Sequence, residues 1–369
     1  ARNPRVCPRV SSPGGDMRLL YITYKVDAHD SLVGHVVGWV SALASHLERI
    51  EVVCLAAGAA ELPENVRVHS LGKERGGRRV TRWPRFFQTI WRLRDGVDAA
   101  FCQFSPQYVL AIAPLAKLRG WPIVFWYTHR HVGSPLRAAT ALVDSVVTAS
   151  PESFRLSSAK LRVIGHGIDT EHFKPEPAAR VSPPVVLAVG RRAPIKNYEL
   201  LIDAVARLSE SLGRSAFRVR IVGGDEGNAP SDYATQLQAR IVRAGLEGIV
   251  ELVGPIAYSQ IVREFQRASV HVNLCPTGGM DKAVLEGMAC GVPTLVRNQA
   301  FAALAMAASG LQLVRGEDAA SLSEQLCIAI SIPAEERALL GNDLRSGVER
   351  IYGLQQFALR LVEIVRAAA

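Results

Sequence analysis

Cys275 to Val296 reads CPTGGMDKAVLEGMACGVPTLV. Val284, Leu285, Met288 and Ala289 recur at the three- and four-residue spacing of a helix. Gly291 closes that helix, Pro293 forbids its continuation, and Thr294–Val296 resumes as a short buried strand. Gly278 and Gly279 precede the helix and leave bare backbone N–H groups at the positive end of its dipole. Such a mouth suits a phosphate or sugar hydroxyls. Glu286, one turn in, offers a carboxylate to a ribose diol. The same spacing also fits a plain strand–helix–strand unit whose glycines serve only packing.

Upstream, Val185 to Leu201 reads VVLAVGRRAPIKNYELL, a buried strand, a glycine turn, and then Arg191 and Lys196 before an amphipathic helix. Two cations on the loop after a strand can grip a diphosphate, Arg by its fork and Lys as a point charge. Alone, this is equally a solvated loop. With the glycine-led helix in the same half of the chain, the two make one anion site.

Further outward, strand-like and helix-like runs alternate from Arg18 onward. Strands are expected near 18–24, 51–56, 66–70, 98–102, 122–127, 144–148 and 162–165. Helices are expected near 34–48, 83–94, 106–118, 134–142 and 151–156. His172 to Pro184 holds four prolines and no periodicity, which marks a linker. A second series follows, with strands near 185–189, 218–222, 249–252, 270–273, 293–296 and 311–314. Its helices fall near 197–211, 231–244, 258–267, 282–290 and 318–330, with two more near 333–347 and 355–368. Alternation of this kind makes a parallel sheet with helices on both faces, and ligands bind at the carboxyl ends of its strands. The expected organisation is α/β: a disordered leader (1–16), a first doubly wound domain (17–175), a second one (176–348), and a C-terminal helix (349–369) packing back on the first.

Hydrophobic residues make up 49% of the 369 and charged ones 21%, and no apolar run approaches the about 20 residues that cross a bilayer. The six cysteines form no CxxC pair, which argues against a zinc site or a disulfide framework and suits a reducing cytoplasm. Residues 1–175 carry 23 Lys+Arg against 14 Asp+Glu, and the rest carry 20 of each, so the net charge of +9 lies entirely on the first half. Lys73 to Arg94 alone holds eight basic residues and one acid, Glu74. Within it Arg78, Arg79, Arg82 and Arg85 interleave with Trp83, Phe86, Phe87 and Trp91. Cationic amphipathic helices with aromatic anchors lie in anionic membrane interfaces, so Arg78, Arg79, Arg82, Trp83 and Arg85 are membrane-facing candidates. The pattern also fits a surface helix whose aromatics face the protein's own core. No nucleic-acid-binding motif accompanies it.

Several of these stretches resemble one family. AVGRRAPIKNYELLIDA (188–204), VELVGPI (250–256) and GGMDKAVLEGMACGVPTLV (278–296) look like the nucleotide-binding half of family 4 retaining glycosyltransferases, of GT-B fold. IGHGIDTEHFKP (164–175) resembles the segment these enzymes carry before their second domain. KVDAHDSLVGHVVGWVSALA (25–44) and WYTHRHVGSPLRAATALVDSVVTASPESF (126–154) are similar to a bacterial and archaeal subgroup. The resemblance covers nearly everything from Met17 onward.

It implies two facing Rossmann-like domains and transfer of a hexose from a nucleotide diphosphate sugar to a hydroxyl, with retained anomeric configuration. Arg191 and Lys196 then neutralise the donor diphosphate, and Glu286 holds its ribose. The family's other glutamate, which touches the donor sugar, falls at Gly278. Backbone N–H groups from Gly279 through Met280 to Asp281, with Asp281 or Lys282 supplying a side chain, are left to hold the sugar. His129 matches a histidine facing the sugar across the cleft, although it also fits a histidine that merely caps a strand. The Lys25–Gly34 loop faces acceptor and diphosphate in this family, which makes Asp27, Asp30 and Gly34 candidates.

No cofactor or metal is expected, because the chain has no Asp-x-Asp to bind a metal-bridged diphosphate. It also lacks the phosphate-loop, nucleophile-elbow and zinc-protease motifs. The expected partners are the nucleotide sugar donor, a glycan, lipid-linked or small-molecule acceptor, and an anionic membrane surface, with no nucleic acid. The expected location is cytoplasmic, peripheral on the inner face of the membrane. A nucleotide-sugar-binding protein without turnover and a nucleotide-sugar epimerase are the competing readings.

Overall fold

The computed structural model describes residues 15–76, 79–129, 131–225, 232–307, 309–314 and 316–369. Apart from Gly15 and Asp16, which already lie in a strand, the expected leader falls outside these residues, as does Arg78.

The first domain is built on β1 (Gly15–Val26), β2 (Leu47–Ala57), β3 (Val66–Ser70), β4 (Ala99–Gln103), β5 (Ile123–Trp126), β6 (Ser145–Thr148) and β7 (Leu161–Val163). Its helices are α1 (His35–Ala44), α2 (Arg79–Leu93), α3 (Pro106–Arg119) and α4 (Ser134–Leu142). The second domain has β8 (Val185–Val189), β9 (Arg218–Val222), β10 (Val250–Val253), β11 (Val270–Asn273), β12 (Thr294–Val296) and β13 (Leu311–Leu313). Its helices are α5 (Tyr198–Leu212), α6 (Asp232–Arg243), α7 (Tyr258–Arg267), α8 (Lys282–Ala289), α9 (Ala302–Ala307) and α10 (Ala319–Ser331), followed by α11 (Ala334–Tyr352) and α12 (Leu354–Ala368).

Pairing within each sheet is parallel. The strand order is β3-β2-β1-β4-β5-β6-β7 in the first sheet and β10-β9-β8-β11-β12-β13 in the second. Each order reverses once, between β1 and β4 and between β8 and β11, and the crevice at such a reversal is where open α/β sheets bind ligands. Helices cover both faces, so the central strands are buried and largely apolar. β4 (AAFCQ) is buried at every residue.

The C-terminal helix crosses to the first domain. Leu354, Phe357, Leu361 and Val365 recur on one face of α12, and all four are buried. Phe357 packs on Trp39 at 4.1 Å and on Trp126 at 5.5 Å between ring centroids. At about 1.5–3 kcal/mol for each buried apolar side chain, this seam is a large part of what fastens the helix. The two places where the chain passes between domains lie side by side: Ile168 N donates to Tyr352 O and Leu354 N to Ile168 O, both at 2.8 Å.

Two local expectations fail. Residues 151–156 form no α-helix, only a tight turn at Pro151–Ser153. Phe154 then extends into the core, edge-on to Tyr127 at 6.1 Å, so burial overrides local helical preference. Conversely, α9 was not expected. Its signal is Asn298, whose side chain caps the turn at Gln299–Phe301 before an alanine-rich run.

Candidate active site

The β8–α5 loop and the start of α8 converge at the second sheet's reversal. Lys196 pairs with the Asp281 carboxylate, which also accepts from Asn273 Nδ2 at 2.9 Å and caps α8 through Ala283 N at 3.3 Å. Burial favours a neutral Lys196, but Asp281 outweighs it and keeps the amine charged. Burial likewise opposes charge on Asp281, yet Lys196, Asn273 and Ala283 N hold its pKa well below the ordinary carboxylate range. The helix mouth expected to offer bare N–H groups is therefore capped by the chain's own carboxylate, with the expected diphosphate cation laid across it. The neighbouring Arg192 is committed elsewhere, in a two-pronged pair with Asp225 at 2.9 and 3.0 Å. Arg191 is exposed.

His129 follows β5 in the other domain. Its pKa is lowered by burial first, and then by the charge of Arg191 and by His131. His129 thus lies within the electrostatic reach of Arg191 across the domain boundary, and the imidazole is held neutral.

The glycine pair is fixed from two sides. Asn298 Nδ2 donates to Gly278 O and Gly279 O, each at 3.2 Å. The carbonyl of the buried neighbouring residue Met280 accepts from His166 Nε2 at 3.0 Å, from the other domain. Gly278 has φ +122°, where any side chain is strained, so the family glutamate has no simple counterpart on this backbone. A Cβ on Gly279 would stand 1.8 Å from Ser153 Oγ. Glycine there is what lets the two domains close on one another.

Glu286 is buried, and Lys282 Nζ lies 3.0 Å from its Oε1 as an ion pair without hydrogen-bond geometry. The same ammonium sits 4.4 Å over the Tyr258 ring. Lys282 therefore folds back along α8. Both Lys282 and Asp281 are thus engaged by side chains of their own domain.

Asp27 and Asp30 shape their loop around Lys25, which lies 2.8 and 2.9 Å from them. Asp30 also accepts from Leu32 N and Val33 N, and Asp27 from His29 N. Gly34 lets that loop meet the second domain, since a Cβ would come within 2.4 Å of the Tyr258 side chain. Sequence reasoning missed Asn273, Asn298, Ser153 and Tyr258, which position the site without carrying any motif of their own.

On α2 the expected outward set divides. Trp83 turns inward against Phe86, Phe87 and Tyr108, and Arg82 Nε is buried. Helical periodicity is the reason: residues 83, 86 and 90 share the face toward the sheet. Arg85 bridges back to Leu71 O at 3.5 Å. The outward apolar residues are Val80, Phe87 and Trp91. The Arg79 side chain, like Arg78, lies outside what is described. Among the described residues, no helix is long and apolar enough to cross a membrane.

Residues 183–331 match the family model of glycosyl transferases group 1. A stretch of 148 residues is 29% identical to D-inositol 3-phosphate glycosyltransferase of Kineococcus radiotolerans, covering 37% of this chain and 34% of that protein. Over 218 residues the chain is 28% identical to the GDP-mannose-dependent alpha-(1-6)-phosphatidylinositol monomannoside mannosyltransferase of Mycobacterium tuberculosis, covering 51% and 54%. The chain thus spans between about a third and a half of the length of these curated relatives. The crystal structure of Anabaena HepE in complex with UDP and glucose matches with a TM-score of 0.74 at 18% identity, covering 95% of this chain and 100% of that one. The fold is GT-B, and its second domain carries the sequence pattern of group 1 glycosyltransferases.

Proposed function

We propose that this protein is a retaining glycosyltransferase that moves a hexose from a nucleotide diphosphate sugar to an acceptor hydroxyl. The observation that carries this reading is the gathering of two cations of the second domain and a histidine of the first around the second sheet's reversal. Arg191 and Lys196 stand at the second sheet's reversal, and His129 of the first domain lies in the field of the Arg191 charge. In this reading the bond from the sugar's anomeric carbon to the diphosphate breaks as the acceptor oxygen bonds to that carbon. The acceptor proton passes to the departing phosphate oxygen. Arg191 and Lys196 oppose the charge growing on the diphosphate, so no metal ion is required. Glu286 takes the ribose, and neutral His129 lies by the sugar. Closure along the Gly34 and Gly279 contacts excludes water.

The acceptor docks on the basic first domain and belongs to cell-surface glycan or glycolipid synthesis. Val80, Phe87 and Trp91 on the outer side of α2, with Arg92 and Arg94 beside them, rest on an anionic inner membrane face. Co-sedimentation with anionic vesicles tests this: Phe87→Ser with Trp91→Ser should release the protein, and unchanged binding refutes the membrane contact.

The Lys196–Asp281 pair favours one second reading, nucleotide-sugar binding without turnover, because a carboxylate stands where the donor phosphate would sit. A panel of nucleotide sugars, assayed for nucleotide release with and without acceptor, separates the two. Binding without any release of the sugar would sink the transferase reading.

A further inference from the structure

Lys282 breaks two local rules. It opens α8, where the positive end of the helix dipole disfavours a cation, and it precedes Glu286 by four residues, the weaker order for such an ion pair. A long flexible side chain in that place has every reason to turn into water. It does not: the side chain is 19% exposed, with the ammonium 3.0 Å from Glu286 Oε1 and 4.4 Å over the Tyr258 ring. Aromatic faces attract cations, so the ring helps to hold the ammonium where the dipole opposes it. Tyr258 in turn is backed from the first domain. It opens α7, and its side chain fills the space beside Gly34, where a Cβ would come within 2.4 Å of it. The ring of His35, the first residue of α1, lies 6.2 Å from that of Tyr258, and the rings of His172 and Phe173 in the connecting segment lie 6.0 and 5.5 Å away. Next to it, Ser259 Oγ lies 3.2 Å from His29 Nδ1 of the first domain. The ring that holds Lys282 is therefore itself held by the other domain.

We infer that Tyr258 and Lys282 are positioning residues that make the ribose grip of Glu286 depend on the two domains being closed. This rests on the reading that Glu286 takes the donor ribose, and adds what makes that grip conditional. With the domains together, Gly34 and His35 back the Tyr258 ring, the ring holds the ammonium, and the ammonium pins Glu286 Oε1 so that Oε2 meets the ribose hydroxyls. When the first domain withdraws, the ring loses its backing. An ammonium at the positive end of a helix then returns to water, where it regains both hydration and rotamer freedom. The Glu286 carboxylate is left unpinned, and its hold on the ribose weakens. The donor is thus gripped through its nucleoside while the site is shut, and the spent nucleotide leaves as it opens.

The test titrates UDP, 2′-deoxy-UDP and pyrophosphate into the full chain by calorimetry, with the GDP set in parallel. The parent should prefer the ribonucleotide about tenfold, the worth of one hydrogen bond to a charged group. Lys282→Met and Tyr258→Leu should each lose most of that preference, while pyrophosphate affinity changes less than about threefold and so reports that both variants fold. Tyr258→Phe keeps the ring and should keep the preference. The double variant should lose no more than either single one, because the two side chains act in series. Gly34→Ala, in the other domain, should lose the preference as Tyr258→Leu does. Additive losses, or a Gly34→Ala protein with the parent's preference, overturn the coupling. Pyrophosphate weakened as much as UDP makes the pair a mere support for α8 and overturns it too. Glu286→Gln separates this inference from the reading beneath it. If Glu286→Gln abolishes the preference while Lys282→Met and Tyr258→Leu keep it, the inference falls and the ribose role stands. A Glu286→Gln protein with the parent's preference removes both.

Discussion

Replacing Lys196 by Met removes the cation laid across the mouth of α8 while keeping most of the side chain's volume. In the free protein its partner Asp281 is not stranded, because Asn273 Nδ2 at 2.9 Å, Ala283 N and the α8 dipole still hold it. The stability cost should therefore be about 1–3 kcal/mol, below the 3–5 kcal/mol of an uncompensated buried charge. Catalysis should suffer more. Loss of one preorganised group that stabilises developing negative charge costs about 2.7–4 kcal/mol, a factor of about 10²–10³ in turnover. Asp281→Asn makes the opposite prediction for binding. Like charges 4 Å apart repel by up to about 4 kcal/mol where the effective dielectric is near 20, so removing this carboxylate should tighten a nucleoside diphosphate tenfold or more. Calorimetric titration of UDP and GDP into both variants reads the binding, and release of nucleotide from a donor panel reads turnover. If Lys196→Met binds and turns over like the parent, no diphosphate meets Lys196. A weaker nucleotide in Asp281→Asn would instead put Asp281 in contact with the donor.

Three further outcomes follow from the site. Glu286→Gln should weaken nucleoside diphosphates about tenfold and leave pyrophosphate binding unchanged, and equal losses for both ligands would remove the ribose role. His129 is held neutral by burial and by Arg191, so the acid limb of kcat/KM should lie below the ordinary histidine value of about 6.5, and His129→Asn should lose that limb. His271 is fully buried on β11 with neither ring nitrogen hydrogen-bonded among the described residues, and burial lowers its pKa to about 4. The unfolded chain then binds the extra proton between about pH 6.5 and pH 4, so this contribution to stability is complete above that window and falls away by about 3 kcal/mol across it. His271→Leu should flatten the loss in denaturant titrations at pH 7, 5.5 and 4. A slope equal to the parent's would refute it.

Most of the fold was legible in the chain because its signals are local. Strand alternation, helical spacing and the Gly and Pro stops act over a few residues, and β8, β9 and β11 lie where the pattern of apolar runs put them. The glycine pair, Glu286 and the two loop cations could be read in the same way. What could not be read depends on residues far apart in sequence. Lys196 reaches Asp281 across 85 positions, and His166 reaches Met280 across 114. That Asp281 caps α8 and engages Lys196 follows from how two loops of one sheet end beside each other. Arg82 and Trp83 turned inward because α2 had a sheet to cover, a fact its own sequence does not contain. Composition and periodicity determine which face of an element is apolar. Only packing decides what that face meets, because close-packed interiors admit one set of neighbours, and here that set brings His166 of one domain onto the Met280 carbonyl of the other.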